Sequence, residues 1–177
     1  LTGLDMKYHS VESPGTDFIL PEPKRLEGGV QKNLHSVMDD TIGMGKQMLV
    51  FVSSRSSAQK EARELSSHLK TRLENGDLGF AESVVESWTS MSQELWRGED
   101  GSATVKALSN SVRGGVGFHH AGLTPSQRKV IENGFRNGNL QCIVATPTLA
   151  QGVNLPASRV IVRDTRRWST IASRSMP

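Results

Sequence analysis

Apolar residues in this 177-residue chain fall into short continuous runs separated by longer stretches with helical spacing. Gln47-Met48-Leu49-Val50-Phe51-Val52, Val116-Gly117-Phe118-His119, Leu140 to Ala145 and Ser158 to Val162 read as short buried strands. The intervening segments repeat with a helical period. From Gln31, the positions Leu34, Val37 and Met38 predict a helix that Gly43 and Gly45 end. Ala58, Ala62, Leu65 and Leu69 form one apolar stripe after the turn Ser53-Ser54-Arg55-Ser56. There Ser56 with Gln59 fits a capping box, and Asn75-Gly76 stops the helix.

Residues 83–96 place Val84, Val85, Trp88, Met91, Leu95 and Trp96 along one expected helix face, with both tryptophans in the core. A further helix spans Val105 to Val112. Thr124-Pro125-Ser126-Gln127 then combines an N-cap Thr, Pro at the first helical position and Gln at the third, and Asn137-Gly138 closes the helix it starts. Strands alternating with helices predict an α/β domain over residues 31–177, with a mostly parallel sheet covered on both faces. Pro14, Gly15, Pro21, Pro23, Gly28 and Gly29 make residues 1–30 an extended leading segment rather than a packed element.

With 36% apolar and 22% charged residues, the composition is that of a globular protein and excludes wholesale disorder. Charge is unevenly placed. Residues 111–177 carry nine Lys/Arg against Glu132 and Asp164, a net +7, whereas residues 1–110 hold 12 basic and 16 acidic groups, a net −4. A polyanion is therefore expected on the C-terminal half. The single Cys142 sits in an apolar run, where a small thiol packs well, and cannot form an internal disulfide. No apolar run reaches the length of a membrane span and no signal-peptide pattern occurs, so a soluble intracellular protein is expected. A start at Leu1 and an end at Pro177 after a Ser/Arg-rich stretch read as a piece of a longer protein.

In an open α/β sheet, ligands bind at the carboxyl ends of the strands, where helices present unpaired N–H groups and the positive end of their dipoles. Three turns lie at such ends. Ser53-Ser54-Arg55 offers hydroxyls and a guanidinium to a phosphate, or else its serines simply cap the helix. The second turn runs from Gly117 through His119-His120-Ala121-Gly122 to Thr124; its adjacent histidines lack metal-ligand spacing, which favours a polar turn against a phosphate or a neighbouring domain. The third, Ala145-Thr146-Pro147-Thr148-Leu149-Ala150-Gln151-Gly152-Val153-Asn154, puts Thr146 directly after a strand and aims the amides of Thr148 and Leu149 at the crevice. Gly152 breaks that short helix and lets Asn154 reach back.

Together MLVFVSSRSSAQKEA, GVGFHHAGLTPSQRKVIENGFRNGNLQCIVATPTLAQGVNLPA and RVIVRD resemble motifs IV, IVa and V, and the strand that follows, of the second RecA-like domain of Ski-type superfamily 2 DExH helicases, especially the archaeal DNA-repair helicases acting at stalled forks. The resemblance covers about residues 46–164. It implies a three-layer α/β/α RecA-like fold, in which Thr146, with Ser54 and Arg55, holds the backbone of a tracked strand. His120, Gly122 and Thr124 would support that contact, and Gly152 and Asn154 would lie at the ATP cleft. It also implies a cytoplasmic, nucleoid-associated ATP-dependent 3′-to-5′ helicase working on single-stranded or forked DNA, with RNA as the alternative substrate of Ski-type enzymes.

The chain lacks the G-x-x-x-x-G-K-[ST] loop, the DExH box and the Q-x-x-G-R-A-G-R motif. ATP and Mg2+ would therefore be held mainly by the first RecA-like domain, this domain's partner in the same protein, and this chain alone is expected to be inactive. The rival reading is a non-catalytic RecA-like module that binds nucleic acid or a protein.

Overall fold

The computed structural model describes residues 3–6, 24–27, 33–97, 101–147, 149 and 155–163. Within the leading segment, β1 (Gly3–Met6) and β2 (Lys24–Glu27) pair antiparallel, with Gly3 opposite Glu27 and Met6 opposite Lys24. The extended conformation was expected, but the pairing was not: ladder bonds join backbone groups and leave little trace in side-chain periodicity.

The main unit follows as α1 (Asn33–Gly43), β3 (Met48–Phe51), α2 (Arg55–Glu74), α3 (Glu82–Trp96), α4 (Ala103–Val112), β4 (Val116–His119), α5 (Pro125–Arg136), β5 (Cys142–Ala145) and β6 (Arg159–Val162). Its four strands form one parallel sheet in the order β4-β5-β3-β6. This is the α/β RecA-like arrangement. Each of β4 and β5 is buried at all four positions, as continuous apolar runs require when a parallel strand is covered on both sides.

The register sorts side chains between the two faces. Gly117, Ile143 and Leu49 lie in one row, and Ile131 of α5 packs so closely on Gly117 that a Cβ there would meet its Cγ2 at 3.0 Å. On the opposite face, Arg159 bonds the Thr41 hydroxyl at 2.8 Å and pairs with Asp40 at 2.6 Å, fixing α1 to β6. Helix α2 lies on that same face, where Arg163 just past β6 pairs with the buried Glu61 at 2.5 Å. Helix α3 packs against both α4 and α5.

Cover on both faces is incomplete among the described residues. Val160 and Val162, on the α5 side of β6, are 57% and 59% exposed, because α5 reaches β4 and β5 but not this edge. The expected face of α3 is also narrower than the sequence suggested. Trp88, Met91 and Leu95 are buried, and the Trp88 indole N–H donates to the Asn139 carbonyl at 2.7 Å. Val85 and Trp96 are instead 41% and 40% exposed, in the first and last turns, where neighbouring helices no longer cover the stripe. Trp96 still anchors its indole N–H on Ser109 Oγ at 2.8 Å.

Helix α2 begins one residue before the expected capping box. Ser54, in extended conformation, is the N-cap and its hydroxyl accepts the Ser57 N–H at 3.1 Å, so Ser56 and Gln59 are free of the capping role assigned to them. Competition between neighbouring serines decided this: Ser54 lies just past the strand exit and has the β-region backbone a cap needs. The box at Thr124 and Gln127 forms as expected, with both reciprocal bonds present.

Gly115 turns the chain from α4 into β4 at φ +73°, directly under the Trp88 ring, where a Cβ would come within 2.6 Å of Cζ2. Gly138 has a similar φ of +79° but open space around it. Gly115→Ala is therefore expected to lower the unfolding free energy by about 2–4 kcal/mol, strain plus overpacking, and Gly138→Ala by about 1 kcal/mol from strain alone. Denaturant titration of the two variants checks this; equal losses would contradict the role given to Trp88.

Candidate nucleic-acid interface

The sheet register brings the three turns to one edge. His119 at the end of β4 is opposite Ala145 at the end of β5, which is opposite Phe51 at the end of β3. Two further bonds extend the row, Thr146 N–H to the His119 carbonyl at 3.0 Å and Val52 N–H to the Ala145 carbonyl at 2.9 Å. Thr146 thus leaves the sheet between the His119-His120 turn and the Ser53-Ser54-Arg55 turn. It is only 7% exposed, and Leu149 N–H returns to its carbonyl at 3.0 Å, beginning the short turn that Pro147 permits.

Ser54 is engaged in capping, with its hydroxyl also 2.8 Å from Ser57 Oγ and 3.1 Å from Ser56 Oγ. That leaves a cluster of rotatable hydroxyls at the start of α2. Arg55, the first residue of the helix, is exposed and lays its guanidinium beside Gly122, where a Cβ would meet Nη1 at 3.3 Å. The first and second turns therefore meet directly. A guanidinium over a small residue, flanked by hydroxyls and a helix N-terminus, is a donor set for phosphate.

His120 supports this junction from below. It is 2% exposed and stacks against Phe118 with ring centroids 5.3 Å apart. Gly122 N–H donates to His120 Nδ1 at 3.1 Å, so the ring proton sits on Nε2. That nitrogen faces the Gln59 side-chain amide at 3.1 Å, whose oxygen must then turn toward the ring to accept. His120 ties the Gly122 turn to α2 and acts through position. Thr124 likewise is engaged in starting α5, its hydroxyl accepting Gln127 N–H at 3.2 Å.

His119 closes the floor on the other face of the sheet. Its Nε2–H donates to Glu132 of α5 at 2.8 Å, which leaves Nδ1 as a buried acceptor with no partner among the described residues. Burial lowers the His119 pKa, against the raising effect of the Glu132 bond and charge, and the Arg128 charge lowers it further. His120 is lowered first by burial and then by the Arg55 guanidinium. Both rings are neutral struts at neutral pH.

Gly152, Asn154 and Thr148 lie outside the described residues. Gln59, Ser57 and Glu132, which the sequence did not assign to the site, complete the described site. Gln59 had one usable signal, its position one helical turn after Arg55. Among the described residues, no group of three His, Cys, Asp or Glu could hold a metal ion, and no helix is long and apolar enough to cross a membrane. Cys142 is buried and its thiol is pushed far above the ordinary range by desolvation and then by Glu61, so its place is in packing. A groove of about 910 Å3 between α1, α2 and β6 contains none of the expected site residues.

Residues 96–174 match the helicase conserved C-terminal domain family. The chain is thus similar to the C-terminal domain of helicases of the Hel308 kind. It is 38% identical over 138 residues to the ATP-dependent DNA helicase Hel308 of Pyrococcus horikoshii, covering 78% of this chain and 18% of that protein. With the Hel308 of Methanocella arvoryzae it shares 35% over 147 residues, 83% of this chain and 19% of the relative. With that of Caldivirga maquilingensis it shares 41% over 150 residues, 82% of this chain and 18% of the relative. The chain thus spans about a fifth of the length of these curated relatives.

The neutral histidines make stability depend on pH. Between their lowered folded pKa values and the ordinary value of about 6.5, the unfolded chain binds more protons than the folded one. Unfolding free energy should therefore rise with pH through that window: the contribution is complete above about 6.5 and lost as pH falls through the folded values. The acid-side slope should be shallower in His120→Asn, measured by denaturant titration at stepped pH. An unchanged slope would show that His120 is not held neutral by the fold.

Proposed function

We propose that this chain is the C-terminal motor domain of an ATP-dependent 3′-to-5′ DNA helicase, gripping the backbone of a single strand at the edge where β3, β4 and β5 end. The observation that carries this reading is the convergence of Arg55, Gly122 and Thr146 on one crevice built from three different turns. The relatives' name, ATP-dependent DNA helicase, supports both the nucleotide and the choice of DNA. Such contacts reach phosphate and sugar, so binding is sequence-tolerant and weakens with salt.

In the whole protein, the first RecA-like domain would hold ATP and Mg2+, and this domain would form the facing wall of the cleft. The described strand-end residues fit the part assigned to them. They present hydroxyls, a guanidinium and backbone N–H groups suited to phosphodiesters, and the nearby carboxylate of Glu132 is engaged with His119. Bound ATP supplies the free energy that closes the cleft. Thr146, Ser54 and Arg55 hold the strand during closure, His120, Gly122 and Thr124 keep their turn in place, and Gly152 and Asn154 relay the nucleotide state. Single-stranded or forked DNA is the partner, in the cytoplasm at the nucleoid.

Thr146→Ala in the intact protein is expected to weaken single-strand binding about ten- to a hundredfold, the loss of one charge-assisted hydrogen bond, and to reduce DNA-stimulated ATPase. Anisotropy and ATPase assays with unchanged values would remove Thr146 from the grip. Asn154→Ala is expected to slow turnover with strand affinity nearly intact. Loss of affinity alone would move Asn154 from the nucleotide side to the strand side.

A further inference from the structure

A second groove begins where the strand-end crevice stops. It has a volume of about 520 Å3 and runs between α2 and α4, lined by Ser56, Gln59, Lys60, Arg63, Ser66 and Lys70 from α2 and by Asn110 and Ser111 from α4. The α2 residues recur at helical spacing on one face, so the groove follows that helix for about 21 Å at 1.5 Å per residue. Every polar group along it is a hydroxyl, an amide or a cation. Glu64, which approaches Lys60 at 4.0 Å, borders the opposite groove beside α1, and both partners are largely exposed, so this pair leaves the Lys60 charge available. Arg63 and Lys70 make no ion pair among the described residues. Helix α4 adds no acidic residue and places Lys106 one turn before Asn110.

The groove is a built feature rather than a loose set of surface lysines. At its closed end, the turn from α4 into β4 presses against α2, where a Cβ at Gly114 would overlap Ser66 Oγ and sit 2.7 Å from the Ser66 carbonyl. The Lys70 stem lies over the same glycine, its Cε 3.1 Å from that Cβ position, so the ammonium is held at the groove's end. Its open end is shared with the crevice. Ser56 sits 3.1 Å from Ser54 Oγ, and Gln59 bonds His120, the ring that positions Gly122 beside Arg55. No aromatic residue lines the groove, so it can hold a sugar-phosphate backbone but offers bases nothing to stack on.

We infer that this groove is a second phosphate track, which takes the stretch of the same single DNA strand that continues beyond the Thr146 crevice. Lys60, Arg63 and Lys70 supply its counter-charges, and Ser56, Ser66 and Asn110 its neutral hydrogen bonds. The inference rests on the strand-end grip proposed above and extends it: the crevice fixes the strand, and the groove sets how much of it the domain protects. Three cations on a single strand change the dependence of log affinity on log salt by about 2, at roughly 0.7 per phosphate neutralised.

The test compares the full-length protein with its Lys60→Gln/Arg63→Gln/Lys70→Gln variant, using single-stranded oligo-dT of stepped lengths across a salt series. These are surface positions with side-chain stems retained, and a matching melting temperature confirms an intact fold. Expected are equal affinities on the shortest oligonucleotides and a deficit in the variant that opens with length. On long ones the salt slope should be shallower by about 2, so that the wild-type advantage shrinks roughly 20-fold between 50 and 200 mM salt. Lys60→Arg/Lys70→Arg should keep the wild-type slope. Equal slopes at every length would overturn the track, as would the same loss on the shortest oligonucleotides, since the groove would then be no separate site. A deficit that appears only when a duplex arm is added would assign the groove to the second strand of a fork and also overturn the inference. Thr146→Ala separates the two readings: its loss at all lengths, beside an unaffected triple variant, would keep the crevice and discard the groove.

Discussion

The parallel row of His119, Ala145, Phe51 and Val162 is the constraint on which the rest of the domain depends. Parallel strands all end on the same side, so four short apolar runs deliver their following turns to one edge without any of those turns being adjacent in sequence. A slip of one residue would exchange the two faces of a strand, placing Phe118 toward α5 and His119 toward α2. Burial prevents that slip, because β4 and β5 are covered at every position and Gly117 admits Ile131 only from one side.

Above that row, much of the chemistry supports the turns rather than meeting a ligand. Ser54 and Thr124 cap helices, His120 bonds Gly122 and Gln59, and His119 bonds Glu132. Satisfied polar groups of this kind fix a loop more firmly than apolar contact alone, since breaking the bonds of His119 or His120 leaves a buried ring nitrogen unpaired. The result is a crevice held open and rigid, with Arg55 as its exposed cation. That rigidity suits a grip that must bind a backbone without regard to base and release it when a neighbouring domain moves.

Periodicity made the sheet, the helices and their order legible, because each strand is a continuous apolar run and each helix has a capped start. The failures have local causes. The serines on both sides of Arg55 left the α2 cap ambiguous until the strand exit chose Ser54, and Val85 and Trp96 continue a stripe that α4 and α5 do not cover to its ends. Val160 and Val162 read as core by composition, yet they face a side of β6 left open among the described residues. The crevice residues were visible from strand-end position and motif, whereas the bonds that Gln59 and Glu132 make were not, since they span 61 and 13 positions of sequence. The basic stripe on α2 hid for another reason. Residues 1–110 carry a net −4, and only folding separates Lys60, Arg63 and Lys70 from the acids on the other side of their own helix.

Hydrogen exchange of the full-length protein with and without saturating single-stranded DNA, at low salt and without nucleotide, tests the strand-end grip most directly. Added protection should concentrate in peptides spanning residues 53–59, 119–124 and 146–149, where the three turns meet. Protection confined to the α3 and α5 surface, with those three segments unchanged, would contradict it.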